Sequence, residues 1–430
     1  MPRRNIHVIV GLTVLCVLCA ARSSRYGRML TYAMNEVNLR ALEEVSEQEL
    51  FEGALQGMMH RLDDYSAYIS PEELTQFQED LEKEFGGVGI EIVLDPQTKE
   101  LTVASPLVGT PAYEAGILAG DKVRRIDGES TQGLSLQDAA DRMRGAPGEP
   151  VTLSILHPGE DDPVDVEIVR AVIRVDTVLG DTRNDQGEWD FFLEGCDRIG
   201  YVRVNSFTEQ TDAELRRALD WLVERDVQGL ILDLRNDPGG MLGAAIRVCD
   251  LFIDAGVIVT TRRRDGQIRE AFMATRRGTY PDFPMAVLVN SFSASASEIV
   301  AACLQDHGRA IVVGQRTFGK GTVQELIPLQ SDQGLLKLTT ASYWRPSEKN
   351  IHRRRDADED DDWGVRPTDG YEVDLDNDQL AKLLSARFRR DVHQPNHDQE
   401  SPPDPNPAAP TVDPQLAKAV EYIQEKVGKH

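Results

Sequence analysis

Cysteine is scarce in this chain, with five in 430 residues. Cys16 and Cys19 fall in an apolar N-terminal run, which leaves Cys196, Cys249 and Cys303 scattered along the rest. Three such cysteines build no disulfide framework, and no C-x-x-C or Cys/His cluster offers a zinc site. Cys249 and Cys303 sit on apolar helical faces and read as core residues. Basic residues are also outnumbered, 47 Lys and Arg against 72 Asp and Glu, for a net charge of −25. That balance excludes a nucleic-acid partner, because no basic face survives it. Arg353–Arg355 abuts the acidic run Asp356–Asp362, so local compensation accounts for both. The acidic run lacks the spaced ligands and turn glycine of a calcium loop and reads as a solvated segment. Internal repeats are absent. Long hydrophobic runs are too: Val8–Ala21 is uncharged, yet at about 1.5 Å per residue it falls short of a full bilayer span. Arg3 and Arg4 precede it and small residues close it, the pattern of a secretion signal cleaved after Ala21. Arg22, Arg25 and Arg28 follow at once and leave an uncleaved anchor open as the other reading. Leu18 disqualifies Cys19 as a lipobox cysteine. Either way the expectation is export, to the periplasm or to a membrane facing it.

What the chain does have is a serine and a lysine in two informative settings. Ser295 lies in V-L-V-N-S-F-S-A-S-A-S-E-I-V-A, residues 287–301. Met285–Asn290 is a short apolar run that suits a buried strand, and Ile299, Val300, Cys303 and Leu304 recur at helical spacing. Ser293–Ser297 therefore falls at a helix N-terminus, where unpaired amides and the helix dipole favour negative charge. Lys320 lies in V-G-Q-R-T-F-G-K-G-T-V-Q-E, residues 313–325. Ala310–Gly314 reads as a second buried strand, and Gly319 and Gly321 let the backbone bend around the lysine. Taken singly, S-x-x-E at Ser295 and Glu298 is a capping box, and a lysine between glycines is a solvated charge. Together they supply what a Ser–Lys hydrolase needs, since a serine is a poor nucleophile until a base removes its proton.

These segments resemble the C-terminal processing peptidases, or tail-specific proteases, whose pattern is close to N-x-x-S-A-S-A-S-E followed by F-G-K-G-x-V-Q. The resemblance implies Ser295 as nucleophile, Lys320 as general base and Gln324 as the side chain that orients the lysine. It implies an oxyanion hole from the amide of Ala296 and that of Gly239 or Gly240, in the turn L-D-L-R-N-D-P-G-G that follows the strand Leu230–Leu234. Asp306 matches an acidic position of the family, against the plainer reading of a helix-end salt bridge. Upstream, F-G-G-V-G-I-E-I (85–92), the stretch 105–128 and M-R-G-A-P-G-E-P-V-T-L-S-I (143–155) resemble a PDZ domain. There Gly87, Val88, Gly89 and Ile90 would bind a peptide carboxylate, the peptide adding as a strand beside Ile90–Val93. Arg144 matches an arginine linked to switching such enzymes on. L-D-D-Y-S-A-Y within 55–80 resembles the family's helical lead-in.

The expected fold is multidomain α/β: a signal or anchor (1–30), an N-terminal helical region (31–82), a PDZ domain (83–170), a crotonase-like serine peptidase core with an extension (171–388), and a Pro-rich disordered tail with a terminal helix near Ala417–Lys426 (389–430). Segment 176–198 reads as an acidic, irregular insert. The expected function is a serine endopeptidase that recognises the free C-terminus of protein substrates, with no cofactor and no metal. Homo-oligomerisation through the N-terminal helices and membrane anchorage are the further partner expectations. A catalytically silent PDZ scaffold is the alternative, and an acyl-CoA enzyme a weaker one resting on fold analogy alone.

Overall fold

The computed structural model describes residues 25–392 and 413–428, apart from 96, 185, 197, 281, 331 and 332. The signal-or-anchor run and most of the Pro-rich stretch lie outside the described residues. The chain divides into a smaller unit, up to Leu74 together with Gln324–Thr339, and a larger one holding the remainder. Among the described residues, no helix is long and apolar enough to cross a membrane.

The smaller unit contains α1 (Arg25–Arg40), α2 (Glu47–Met59) and β1 (Ala67–Ile69). Ser46 starts α2 with a reciprocal capping box: its Oγ accepts from Glu49 N (3.1 Å) and its N–H donates to Glu49 Oε2 (2.8 Å). Phe51, Leu55 and Met59 recur at helical spacing and pack on Tyr68, Leu336 and Leu338. β1 pairs antiparallel with the segment starting at Leu335, Tyr68 opposite Leu336. α3 (Pro71–Glu82) begins in this unit and leads into the next.

In the larger unit, β2 (Glu84–Gly87) opens an antiparallel module that continues through β3 (Ile90–Leu94), β4 (Leu101–Pro106), α4 (Pro111–Glu114), β5 (Lys122–Ile126), β6 (Glu129–Ser130), α5 (Leu136–Met143), β7 (Pro150–Leu156), β8 (Val164–Val169) and β9 (Ala171–Arg174). The strands order β3-β4-β5-β7-β8, with β6 on β5, so β3 is an edge. Val103, Ile126, Leu153 and Ile155 alternate inward around one core. α5 starts at the Ser135–Asp138 capping box, buries Ala139 and Met143, and lies against β3. The Arg170 guanidinium closes its other end by donating to the carbonyls of Arg142 (2.9 Å) and Met143 (3.0 Å). β2 and β9 pair where the chain enters and leaves the module.

The second part of this unit begins with β10 (Val178–Leu179), β11 (Thr182–Arg183) and β12 (Trp189–Asp190). It is more ordered than an irregular insert, because β10 forms one edge of the main sheet and β11 pairs with β12. β13 (Ile199–Val204), α6 (Thr211–Val223), β14 (Gly229–Asp233), α7 (Leu242–Asp250), β15 (Val257–Arg262), β16 (Ile268–Met273), β17 (Met285–Val289), α8 (Ala296–Asp306) and β18 (Ile311–Gly314) follow. The main sheet runs β10-β13-β14-β17-β18, and β13, β14, β17 and β18 are parallel. Its central strands are apolar on both faces, as a doubly covered sheet requires. Leu230, Leu232, Val287 and Val289 pack beneath α6, α7 and α8, while Ile231, Ala286 and Leu288 meet Ala419 and Ile423 on the other side. β19 (Thr322–Pro328) and β20 (Leu335–Trp344) follow; their stretch Gln324–Thr339 belongs to the smaller unit, and Ser342–Trp344 at the end of β20 pairs with β15. Two helices complete the unit, α9 (Asn377–Asp391) and α10 (Pro414–Val427), the second supplying Ala419 and Ile423.

α10 is fastened to the carboxyl end of β14. Arg235, half-buried there, donates to Asp413 Oδ2 (2.8 Å), the N-cap of α10, and to both oxygens of Asp233. Tyr201 donates to Asp233 as well, at 2.7 Å. Burial pushes the Asp233 carboxyl up, but the Arg235 charge outweighs it and holds the group below its usual range. The turn that follows Arg235 thus leaves the sheet from a rigid base, at the strand end where parallel α/β sheets carry their sites.

Candidate active site

The turn after β17 meets the turn after β14. Asn290 joins them: its Oδ1 accepts from Asn236 N (3.0 Å) and its Nδ2 donates to Asn236 Oδ1 (3.0 Å). Ser293 Oγ donates to Leu234 O (2.8 Å), and Ser297 Oγ donates to Asp237 O (2.9 Å). Ala294 N adds a bond to the same carbonyl, at 3.0 Å. The outer serines of S-A-S-A-S are therefore staples, and the middle one, Ser295, is set between them.

Ser295 caps α8 with φ +57° and ψ −110°. That backbone is the first central residue of a type II′ turn, a place for glycine, so a serine there is strained. The residue is 7% exposed. Against it lies Gly239 (φ +94°), and Gly240 (φ +151°) follows, set against Phe207. A Cβ on Gly239 would sit 2.8 Å from Ala296 N and 2.9 Å from Ser295 Cβ, and one on Gly240 would overlap the Phe207 backbone. Only glycine permits this approach. The Gly239 N–H is committed to Asp237 Oδ1 (2.8 Å). The N–H groups of Gly240 and Ala296 have no partner among the described residues.

Glu298 joins the serine to the lysine. Its carboxylate is fully buried. Oε2 accepts from Ser295 N (2.9 Å) and Lys320 N (2.8 Å), while Oε1 accepts from Thr317 Oγ1 (2.6 Å) and Gly319 N (2.7 Å). Phe318 N donates to Ser293 O (3.0 Å) and fastens the same loop from its other side. Burial pushes the Glu298 carboxyl up to about 7, against the pull of these four donors. In the sequence Glu298 looks like half of a capping box. Its second role is invisible there, because Thr317, Gly319 and Lys320 lie beyond the end of the helix it starts.

Gln324 belongs to the smaller unit. There its Nε2 donates to Thr339 Oγ1 (3.4 Å), which donates to Asp63 Oδ1 (3.1 Å). Asp63 also accepts from the N–H groups of Tyr65 and Ser66, each at 2.8 Å. Partial burial pushes this carboxyl up, but these bonds prevail and keep it low. L-D-D-Y-S thus supplies the support behind Gln324, a role its sequence does not announce.

The remaining predicted positions fall in two places. Gly87–Ile90 lies at the start of edge strand β3. Gly89 takes φ +83° with the Thr110 side chain where a Cβ would go. Leu107 N donates to Gly89 O (3.0 Å) and Ala112 N to Val88 O (2.9 Å), which fixes the loop. Arg144 ends α5 and stacks over Phe85, 5.1 Å from the ring centre. Asp306 pairs with Arg345 and accepts from Ser347 N (3.0 Å), a helix-end ion pair rather than a member of the serine site. In the acidic run, Glu359 pairs with Arg316 and Arg353. Among the described residues, no group of three or more His, Cys, Asp or Glu is placed to hold a metal.

Compared with known proteins, residues 198–368 match peptidase family S41 and residues 102–156 match a PDZ domain. The chain is 41% identical over 309 residues to a carboxy-terminal-processing protease of Bartonella bacilliformis, covering 71% of this chain and 68% of that protein. It is 38% identical over 304 residues to a carboxyl-terminal-processing protease of Synechocystis, covering 70% and 68%. The solved structure of a photosystem II D1 C-terminal processing protease is 29% identical, covers 83% of this chain and 90% of its own, and gives a TM-score of 0.46.

Proposed function

The chain belongs to the carboxy-terminal-processing proteases of peptidase family S41 and is a serine-type peptidase with a PDZ domain, and we propose that it cuts proteins through a Ser295–Lys320 dyad after capturing their free C-termini. The observation that carries the dyad is the buried Glu298 carboxylate, one oxygen of which accepts from both Ser295 N and Lys320 N. A single atom fixes the two backbones that present nucleophile and base. Layered about its parallel sheet, the core is read as crotonase-like.

Neutral Lys320 takes the Ser295 proton as Oγ bonds to the scissile carbonyl carbon, whose electron pair moves onto the carbonyl oxygen. That oxyanion is held by the N–H groups of Ala296 and Gly240, since the Gly239 N–H is spent on Asp237. As the intermediate collapses, the Lys320 ammonium returns the proton to the leaving amine. Water then attacks the acyl-enzyme by the same route. An ammonium cannot accept a proton, so Gln324 suits this step: it orients the amine without adding a charge that would favour protonation. Edge strand β3 and the Gly87–Ile90 loop beside α5 form the groove for the substrate's C-terminal strand, with Arg144 at its end.

The test is cleavage of an unfolded reporter with an apolar C-terminal tag, its carboxylate free or amidated. Wild type should cut the free form alone, and Ser295→Ala and Lys320→Ala should cut neither. Cleavage by Ser295→Ala would refute the dyad, and equal cleavage of the amidated form would refute C-terminal recognition. Tag binding without cleavage by wild type would return the scaffold reading.

A further inference from the structure

Asp237 is a buried carboxyl with no ionic partner, directly beneath the oxyanion turn. It is 0% exposed. Oδ1 accepts from Gly239 N at 2.8 Å, and Oδ2 is buried with no hydrogen-bond partner among the described residues. Its own backbone carbonyl receives Ala294 N and Ser297 Oγ, so the residue is held from the nucleophile side as well. The charged groups on the packed elements are committed elsewhere. On the strand side, Asp233 and Arg235 bond each other. On the α8 side, Glu298 accepts from Ser295, Thr317, Gly319 and Lys320. None of these hydrogen-bonds the Asp237 carboxyl.

An ionised carboxylate here would be an unpaired buried charge, which costs far more than an unpaired hydroxyl. Burial pushes this group well above the usual carboxylate range, and the Gly239 N–H and the nearby Ser297 hydroxyl oppose that only in part. Resting on the dyad reading above, we propose that Asp237 acts as a neutral carboxylic acid, a positioning residue whose Oδ1 turns the Gly239 N–H inward and thereby aims the Gly240 N–H at the oxyanion. The proton sits on Oδ2, and the carbonyl oxygen Oδ1 receives the amide. Two consecutive glycine amides cannot both face the substrate while one of them points at Asp237. The carboxyl therefore decides which amide serves.

The test compares wild type with Asp237→Asn and Asp237→Leu on the reporter, with kcat and KM measured separately and Ser295→Ala and Lys320→Ala as controls. Asparagine keeps the carbonyl acceptor and the neutral charge, so its kcat at pH 7 should stay near wild type. Leucine keeps the size without the acceptor, and its kcat should fall roughly 10²-fold with KM unchanged, the scale of a lost oxyanion donor. Raising the pH should ionise Asp237 and lower wild-type kcat, a fall that Asp237→Asn lacks. An infrared difference spectrum between wild type and Asp237→Asn at neutral pH should contain a protonated carboxyl band. Loss of kcat in Asp237→Asn as deep as in Asp237→Leu, full activity in Asp237→Leu, or a carboxylate band would each overturn the proposal. Activity in Ser295→Ala would instead overturn the dyad, whatever Asp237 does.

Discussion

Replacing Glu298 by glutamine changes one atom at the centre of the site and should disable it. Each carboxylate oxygen accepts two donors, Ser295 N and Lys320 N at Oε2, Thr317 Oγ1 and Gly319 N at Oε1. An amide has one oxygen. Whichever way glutamine is turned, one pair of donors faces an NH₂ group. If Thr317 instead accepts from that NH₂, its Oγ1, which already accepts from Val365 N at 2.7 Å, has both lone pairs filled and its own O–H loses the acceptor it had in Glu298. At about 1.5–3 kcal/mol for a bond to a charged group, two lost bonds amount to about 3–6 kcal/mol. Removing the buried charge returns part of this, which leaves a net loss of about 3 kcal/mol. Urea unfolding measures that loss directly. The reporter assay should show kcat down by roughly 10²-fold, because the serine and lysine backbones are no longer held together, with KM little changed, since Glu298 touches no substrate.

The same residue gives a pH signature. Its carboxyl is pushed from an ordinary 4.5 up to about 7. Between those values the folded protein holds a proton that the unfolded chain has released, so this group lowers stability as pH rises from 4.5 to 7. Yet four donors match only the ionised form, so activity should rise across the same window. Subtracting the Glu298→Gln stability profile from that of wild type should leave a downward slope there. Wild-type activity in Glu298→Gln, or no difference between the two stability profiles, would refute the reasoning.

Gly239→Ala should lower kcat by at least roughly 10²-fold while tag binding to the PDZ module is retained, because the added Cβ displaces Ala296 N and Ser295 but touches nothing near β3. Loss of tag binding in that variant, seen by fluorescence anisotropy, would mean a wider collapse. Thr339→Val removes the hydroxyl between Gln324 and Asp63 and should reduce kcat less than Gln324→Ala does. Gln324→Glu should cost more activity than Gln324→Asn, and equal, wild-type-like rates for both would exclude an orienting role.

The sequence discloses what depends on neighbours along the chain. The strand just before Asn290 and the helix carrying Ile299 and Leu304 follow from short-range apolar patterns, and so does the terminal amphipathic helix. What stays hidden is each partner across the fold. Ser293 bonds a carbonyl 59 residues away and Ser297 one 60 residues away. Read along the chain, both look like ordinary capping serines. Nothing along D-P-G-G shows that the Asp237 side chain folds back onto the Gly239 N–H. The docking of α10 on Ile231 and Leu288 is hidden for another reason: an apolar face announces burial without saying against what.

The strain at Ser295 offers a sharper test of how the site is built. The serine holds φ +57° and ψ −110° because α8, the two serine staples and Glu298 fix the chain on both sides of it. An L side chain in that region costs of order 1–3 kcal/mol, which glycine avoids. At an ordinary position glycine is less stable than alanine by about 0.5–1 kcal/mol, through the greater freedom of its unfolded chain. Here the order should invert. Ser295→Gly and Ser295→Ala both lose the hydroxyl and should both be inactive, but the glycine variant should unfold at higher urea by about 1 kcal/mol. Strain relief would then be measured at the residue proposed as nucleophile. A glycine variant less stable than the alanine variant would mean that the backbone at Ser295 is relaxed, and that the serine is presented by its staples alone.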